Sequence, residues 1–516
     1  MTRDSSSGSA HLSGEQSLVV TRERQGGVDL DSFFGPVRVE WDHEAAMTPL
    51  GQLPFFIDFL KTSGLFDAVV ADCPLRYVSP NAPGKREVLG TAMLSMLAGH
   101  RRYAHITALR CDAVLPELLG MKKIVSEDAV RRAFQAIDET EGAAWLRGHL
   151  AFCVEPLLAE PWILDVDTTI KPLYGHQEGA KLGFNPKKPG RPSHCYHTYA
   201  MASTRLVLDV EVLPGDEHTS KHGAPGLWGL IDRLPRDLWP SLLRGDCGFG
   251  VEGVMHEAEA RGLPYLFKLR LTRNVRRMIE KLASTRAWTC AGQGFEAKES
   301  TVRLEGWSRE RRTIVLRRRL KGAVGLSESE PDGTPQLSFI EIGEAAEVYE
   351  YSVLVTSLDE HTEAFGQLYR DRGDGENLFD EMKNQWGWGG FTTHDLGRCR
   401  LAARLLALFY NGWNIFVRLA DPDRHREAIT SRPLFLTAIA TRARHARQTT
   451  IRVTSTHARA EPAARALAAV AAFLRALAGN AEQLTRLQTW RAILSRAFQA
   501  FLNGRLLRPP PRLAPA

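Results

Sequence analysis

The alternation of apolar and polar positions changes period along this chain, and each change marks a different kind of element. From about residue 46 to 158 the spacing is helical: Leu53–Leu60 and Val88–Leu97 place apolar residues every three or four positions. Ser126 precedes Glu127 and Asp128 as a capping residue would, and the helix it opens, Asp128–Ile137, carries Arg131 and Arg132 as the second helix of a helix-turn-helix could. At Pro161 the period falls to two. Trp162–Thr168, Tyr196–Ala202 and Leu206–Val212 read as a three-stranded meander. Helix Ala224–Arg233, strand Ser241–Leu243 ending at Gly245-Asp246, helix Val251–Ala260 and strand Tyr265–Leu269 follow. This succession predicts a mixed α/β sheet with helices on its faces.

Residues 271–357 interrupt the alternation and read as a β-rich insertion, with strands at Thr301–Leu304, Thr313–Leu316 and Tyr349–Thr356 and an acidic loop at Ser327–Pro335. Helices resume over 359–386 and 398–420, and again at Pro462–Ala478 and Glu482–Asn503. The expected organisation is a mobile tail (1–45), a helical DNA-binding region (46–158), the first part of a core (159–270), the insertion (271–357), the second part of the core (358–420) and a helical C-terminal region (421–516).

At 516 residues the chain exceeds what one hydrophobic core usually supports, so several units are expected. The longest apolar candidate, Leu401–Ala420, is broken by Arg404, Asn411, Asn414 and Arg418, which argues against a membrane partner. Seven well-separated cysteines and the lack of an apolar leader suit a reduced, cytoplasmic protein. The net charge is only +6, but it is unevenly placed: Arg270–Gly322 holds 15 Lys+Arg against 5 Asp+Glu. A surplus concentrated in one segment is the footprint of a polyanion-binding face.

No phosphate-binding glycine loop of the nucleotide-binding kinds is present, so no nucleotide cofactor is expected. His194 and His197, three apart at a strand entrance, read as ordinary polar residues. The carboxylates are more informative. Asp165 and Asp167 share one face of a strand, and Asp246 ends another, where ligands of open α/β sheets collect. Oxygen donors in that position suit Mg²⁺ or Mn²⁺. On a continuous helix Leu368–Trp386, Tyr369, Arg372, Glu376 and Lys383 fall within roughly 60° of one another, beside an apolar stripe of Leu368, Leu378, Phe379, Met382 and Trp386. A carboxylate between two cations suits a metal-bound phosphodiester.

With gaps of two, three and six residues, this Tyr-Arg-Glu-Lys run resembles the signature of DDE transposases from bacterial insertion sequences. Asp167-Thr168-Thr169 looks like the first-aspartate motif and Arg244-Gly245-Asp246 like the second. The stretches YGHQEGAKLGFNPKKPGRPSH, HTSKHGAPGLW and NQWGWGGFTT look like the group catalogued as thirteen-eighty. The resemblance covers about residues 48–440. It implies an RNase H-like core in which Asp167, Asp246 and Glu376 are catalytic and hold two Mg²⁺ ions, with Mn²⁺ as substitute. By the same resemblance Tyr369, Arg372 and Lys383 would bind DNA beside the cut. Trp288 and Trp307 of the insertion are candidates for an aromatic that stacks a flipped base, with core packing the favoured role of each. The partner would be double-stranded DNA, inverted repeats and target alike, bound by a homodimer, nucleoid-associated within a bacterial cytoplasm. The implied function is cleavage of inverted-repeat ends and strand transfer; the alternative is an inactive or repurposed sequence-specific DNA-binding protein. The acidic triad argues against that alternative; Gly373 and Gly375 keep it open, since glycine weakens a helix interior, unless the helix starts only at Glu376.

Overall fold

The protein is described by a computed structural model covering residues 27–507, apart from 43–44, 78, 286, 321–322, 330–334, 342–347, 447, 456–458 and 481–483. Residues 1–26 of the expected tail, the centre of the expected acidic loop and the Pro/Arg-rich end from 508 lie outside the described residues.

The chain divides into two units, Met1–Ala45 and Ala46–Ala516. The first contains an antiparallel hairpin, Val28–Ser32 with Gly35–Val39, within the segment expected to be a tail. Val28 opposes Val39 and Leu30 opposes Val37, so one face of the ribbon is apolar.

In the second unit a nine-stranded sheet forms the centre. Its strands are β1 (Ile163–Pro172), β2 (Ser193–Met201), β3 (Leu206–Pro214), β4 (Leu242–Gly245) and β5 (Tyr265–Lys268), then β6 (Thr289–Cys290), β7 (Phe295–Val302), β8 (Arg311–Arg319) and β9 (Tyr349–Thr356). Their order across the sheet is β3-β2-β1-β4-β5-β9-β8-β7-β6. The first three are antiparallel, whereas β4 and β5 run parallel to β1. This is the RNase H-like arrangement, and the insertion extends the same sheet antiparallel from β5.

Helices cover the sheet. The 25-residue helix Leu396–Ala420 lies on β3, and the polar residues that broke its apolar run are the ones that attach it. Asn411 accepts from the Val207 N–H and donates to the Val207 carbonyl, at 2.9 and 2.8 Å. Arg404 pairs with Asp209 at 2.9 Å, and Asn414 donates to Thr204 O at 3.0 Å. Buried polar side chains are tolerated because each has a partner. The helices on either side of the core pack into each other: Phe56 and Phe59 meet Phe416, and Phe59 meets Trp490 near the C-terminus. Helix Ala460–Gly479 is long and apolar enough by composition to cross a membrane; here Ala463, Leu467, Val470 and Leu474 are buried on one of its faces.

Several elements depart from the expectations. The insertion opens with a helix, Arg273–Ala283, whose only buried side chains are Val275 and Ile279. The acidic stretch is partly strand, since Ala323–Ser329 pairs with Pro335–Glu341. Ala440–His445 and Gln448–Val453 form a small sheet with Met47–Thr48. The helix that opens after Ser126 spans Glu127–Gln135 and is preceded by a single turn, Leu115–Leu118; Arg131 on it pairs with Asp128.

Candidate active site

The sheet register decides which carboxylates meet. Val166 of β1 and Gly245 of β4 are partners in a parallel pair, so the next residue on each strand, Asp167 and Asp246, emerge side by side. Beyond β4 the chain turns at once, and the Gly248 N–H donates to Asp246 Oδ1 at 2.8 Å, holding that carboxylate by one oxygen. Gly245 cannot be larger, because a Cβ there would lie 2.9 Å from Val166 Cγ2.

Glu376 comes from the other part of the core. The segment expected as one helix is three pieces: Thr362–Arg370, Gly373–Glu381 and a π-turn Met382–Trp386 that ends at Gly387 with φ 101°. The junction is tightened by i→i−3 bonds, with Arg372 N–H to Tyr369 O at 3.1 Å and Gly375 N–H to Arg372 O at 2.9 Å. Gly373 and Gly375 therefore occupy the first turn of the second helix rather than a helix interior. Gly373 has open space where its Cβ would be; a Cβ on Gly375 would lie 3.3 Å from Asp165 Oδ2. The helix is anchored from behind by Glu381, 1% exposed, which accepts from the Ala428 N–H at 2.9 Å and His425 Nε2 at 2.7 Å.

Arg372 bridges two of the three acids, Asp167 and Glu376. Its guanidinium lies 3.3 Å from Asp167 Oδ1 and 2.7 Å from Glu376 Oε1. Burial of this guanidinium opposes its charge, but Asp167, Tyr369, Asp246 and Glu376 outweigh that and raise its pKa above the ordinary value. Burial pushes Asp167 up to about 6, against the pull of Arg372, with Asp246 and Glu376 adding to the rise. Among the described residues no three His, Cys, Asp or Glu side chains are already drawn together as a metal cluster. The cation at the centre of the acids here is the guanidinium.

Asp165, the other acid on that face, is committed elsewhere. Arg244 donates to both its oxygens, Nε at 2.6 Å and Nη2 at 2.8 Å, and Nη1 reaches Leu368 O at 2.5 Å. Both partners are buried, so through Arg244 Asp165 ties the preceding helix, Thr362–Arg370, to β1, and each of its oxygens already accepts a hydrogen bond.

An open cleft of about 1210 Å³ lies in front of this cluster. Asp246, Glu376, Tyr369, Arg372 and Lys383 line it, while Asp167 touches it through Arg372. Lys383 donates to Ile170 O on β1 at 2.9 Å, and burial, then Lys187, lower its pKa. Tyr369 is raised to about 12 by burial and stays protonated. Trp288 and Trp307 do not line the cleft. Arg317 covers the Trp288 ring at 4.1 Å, and Trp307 is 7% exposed beneath Arg311.

Two supporting residues are not apparent from the sequence. His197 is fully buried; its Nε2 donates to Glu217 O at 2.8 Å, so Nδ1 accepts from the Thr168 hydroxyl at 2.9 Å, next to Asp167. Lys171 at the far end of β1 donates to Gly390 O at 2.5 Å, and burial lowers it to about 8. The register pairing of Thr168 with His197 is the only sign a sequence could carry, and it needs the strand pairing to be known.

No curated protein matches the chain. Among solved structures, a piggyBac transposase synaptic complex with hairpin DNA is similar at 13% identity, over 87% of this chain and 85% of that one, with a TM-score of 0.39. A family model described as transposase DDE domain group 1 matches residues 83–477. With the match spanning most of its length, the chain belongs to the DDE-domain transposases of group 1 and is a DNA transposase.

Proposed function

We propose that this transposase serves an insertion sequence of the thirteen-eighty group, cutting its terminal inverted repeats and joining the freed ends to target DNA by in-line displacement at phosphorus. The observation that carries the reading is that Arg372 pairs with both Asp167 and Glu376 at the wall of a cleft which Asp246, emerging beside Asp167, also lines. The donor set fits hard divalent cations: three carboxylates, no sulfur or imidazole, and a surplus of negative charge that now needs an arginine to balance it. Two Mg²⁺ ions held by Asp167, Asp246 and Glu376, or Mn²⁺ in their place, would activate the attacking oxygen and stabilise the leaving one.

The chain's own groups account for the rest. Arg244 keeps Asp165 out of the donor set, and the Gly248 N–H orients Asp246. Arg372 lines the cleft, so a phosphate there is a second anion for its planar fork. Lys383, tethered to Ile170 O, adds a point charge, and the protonated Tyr369 hydroxyl can donate to a phosphate oxygen. Synapsis of two ends requires two copies of the chain, each bringing one such cleft, and the DNA would be met in the cytoplasm. The glycines that left room for an inactive copy lie in a helix's first turn, where little is lost.

The test is nicking of DNA carrying the inverted repeats that flank the gene. Wild-type protein should nick it with Mg²⁺ and stop when the metal is chelated, and Asp246→Ala should lose nicking while still binding. An unchanged rate in Asp246→Ala would overturn the assignment. Binding without any cleavage by wild type would favour the repurposed DNA-binding protein.

A further inference from the structure

Away from the cleft, a second basic segment is left unused by the site. Between residues 428 and 460 the chain carries six arginines and no aspartate, glutamate or lysine. Its centre is the antiparallel ribbon of Ala440–His445 with Gln448–Val453. A two-stranded ribbon is marginal by itself in water, but this one is fastened at its root and along one face. Met47–Thr48 pairs with Ala440 and Thr441, and the Arg442 N–H donates to Ala46 O at 2.8 Å. A Cβ on Gly51 would lie 2.6 Å from the Cβ of the fully buried Ala440, so the root is packed without a gap. Farther out, Arg442 and Arg444 both pair with Glu117, and Arg442 also donates to Ala113 O at 3.2 Å.

The opposite face is open. The register sets Thr441 against Arg452, Ala443 against Thr450 and His445 against Gln448, and cross-strand partners share a face. All of these except the half-buried Ala443 are exposed, and their polar side chains make no hydrogen bond or ion pair with a described residue. They are types that read base edges. Arginine forks onto guanine O6 and N7, glutamine onto adenine N6 and N7, and threonine offers a hydroxyl to either base or its methyl to thymine. Six residues of strand span roughly 20 Å, and a two-stranded ribbon fits a major groove about 12 Å wide.

Cations for the flanking phosphates stand beside the ribbon. Arg110, Lys122 and Lys123 line a cavity of about 510 Å³ together with Arg442, and all three are exposed without an ion pair to any described residue. The acids of that cavity are engaged: Glu117 by the two ribbon arginines, and Asp112 by the Val114 and Leu115 N–H groups at 2.9 Å. Helix Glu127–Gln135 is a poorer reader, since only a single turn precedes it and its Arg131 is spent on Asp128.

We propose that the open face of the ribbon enters the major groove of the terminal-repeat duplex and reads its sequence. Arg452 and Gln448 meet base edges, while Arg110, Lys122 and Lys123 meet the phosphates on either side. This rests on the transposase reading above and adds the surface that chooses the DNA, separate from the cleft that cuts it.

The experiment measures binding of the full chain, without divalent metal and at one salt concentration, to a repeat duplex and to a scrambled duplex. Replacing Gln448 and Arg452 together by alanine should weaken binding to the repeat by about 10- to 100-fold, and to the scrambled duplex far less, because only base contacts differ between the two. The unfolding midpoint should stay as in wild type, since neither side chain has a partner in the fold. Methylation of guanine N7 in the repeat should impair wild-type binding at a position that the double variant no longer senses. Arg131→Ala combined with Arg132→Ala should keep the preference for the repeat. Equal losses on both duplexes would reduce the ribbon to a phosphate contact and overturn the readout. So would a preference lost in the Arg131 and Arg132 variant but kept in the ribbon variant. If wild type and the ribbon variant prefer the repeat equally, the transposase reading stands and the ribbon falls. If wild type has no preference for the repeat, the assignment to that element falls and takes the ribbon with it.

Discussion

His197 shows how far a single buried ring can support a site it never touches. It is fully buried, and its hydrogen bonds to Thr168 and Glu217 O tie the strand bearing Asp167 to the turn after β3. Burial holds the imidazole down to about 4, with the charges of His222 and His218 adding to the fall, whereas an unfolded histidine titrates near 6.5. Between those values the unfolded chain binds a proton that the folded chain does not. The stability contributed by the neutral ring is therefore whole above pH 6.5 and is lost as the pH falls from there through 4. The loss is about 3 kcal/mol. Urea unfolding across this range should find His197→Gln less steeply dependent on pH than wild type, by about one proton. Identical slopes in the two proteins would remove His197 from this role. Arg244 acts at the same scale by a different route. Its two bonds to Asp165 balance a buried carboxylate, and Asp167 on the same strand face has no such bidentate partner.

The elements that hold the site are less regular than their sequence periods suggest, and the irregularities fall on functional residues. The Glu376 helix starts at Gly373, with its backbone against Asp165. Gly373→Ala meets open space and should stabilise the protein by about 0.4–1 kcal/mol while leaving nicking intact. Gly375→Ala places a Cβ 3.3 Å from Asp165 Oδ2, which Arg244 holds on both oxygens and which cannot yield. The helix must shift instead and carry Glu376 with it, so nicking should fall about tenfold. Equal rates in the two alanine variants would mean that this contact is not what fixes the helix. Strands β1 to β5 were legible from the sequence as short apolar runs bounded by Gly and Pro turns, and most of them are buried on both faces rather than alternating. The break at Asp371-Arg372 and the π-turn at Met382–Trp386 were not, because an angular projection assumes a constant turn per residue. The choice between Asp165 and Asp167 was not legible either. Period two puts both on one face, and the residue that separates them, Arg244, lies 79 positions away across the sheet.

Over the whole molecule, what matters is how much of the basic surplus of the insertion is free to meet DNA. A good part of it is spent internally. Arg311 pairs with Glu252 and Glu259, Arg312 with Glu299, Arg317 with Glu296, and Arg318 with Glu350. These pairs stitch β8 to its neighbours and to the helix Glu252–Ala260, so they act on the sheet rather than on a ligand. The unspent charge lies on the helix Arg273–Ala283, where Arg273, Arg277 and Lys281 are exposed and make no ion pair with any described residue. Val275 and Ile279 fasten its other face. The helix begins three residues beyond Arg270, which lines the cleft, so a duplex entering there passes close to it. Contacts of this kind are with phosphates and are indifferent to sequence, and each releases a counterion. Replacing Arg273 and Arg277 together by alanine should therefore weaken binding to repeat and non-repeat DNA alike. It should also lower the slope of log K against log salt by about 2, with the unfolding midpoint unchanged, because neither side chain supports the fold. If the slope stays as in wild type, the helix is merely solvated, and the DNA is met by other basic residues lining the cleft, such as Lys187 and Lys188.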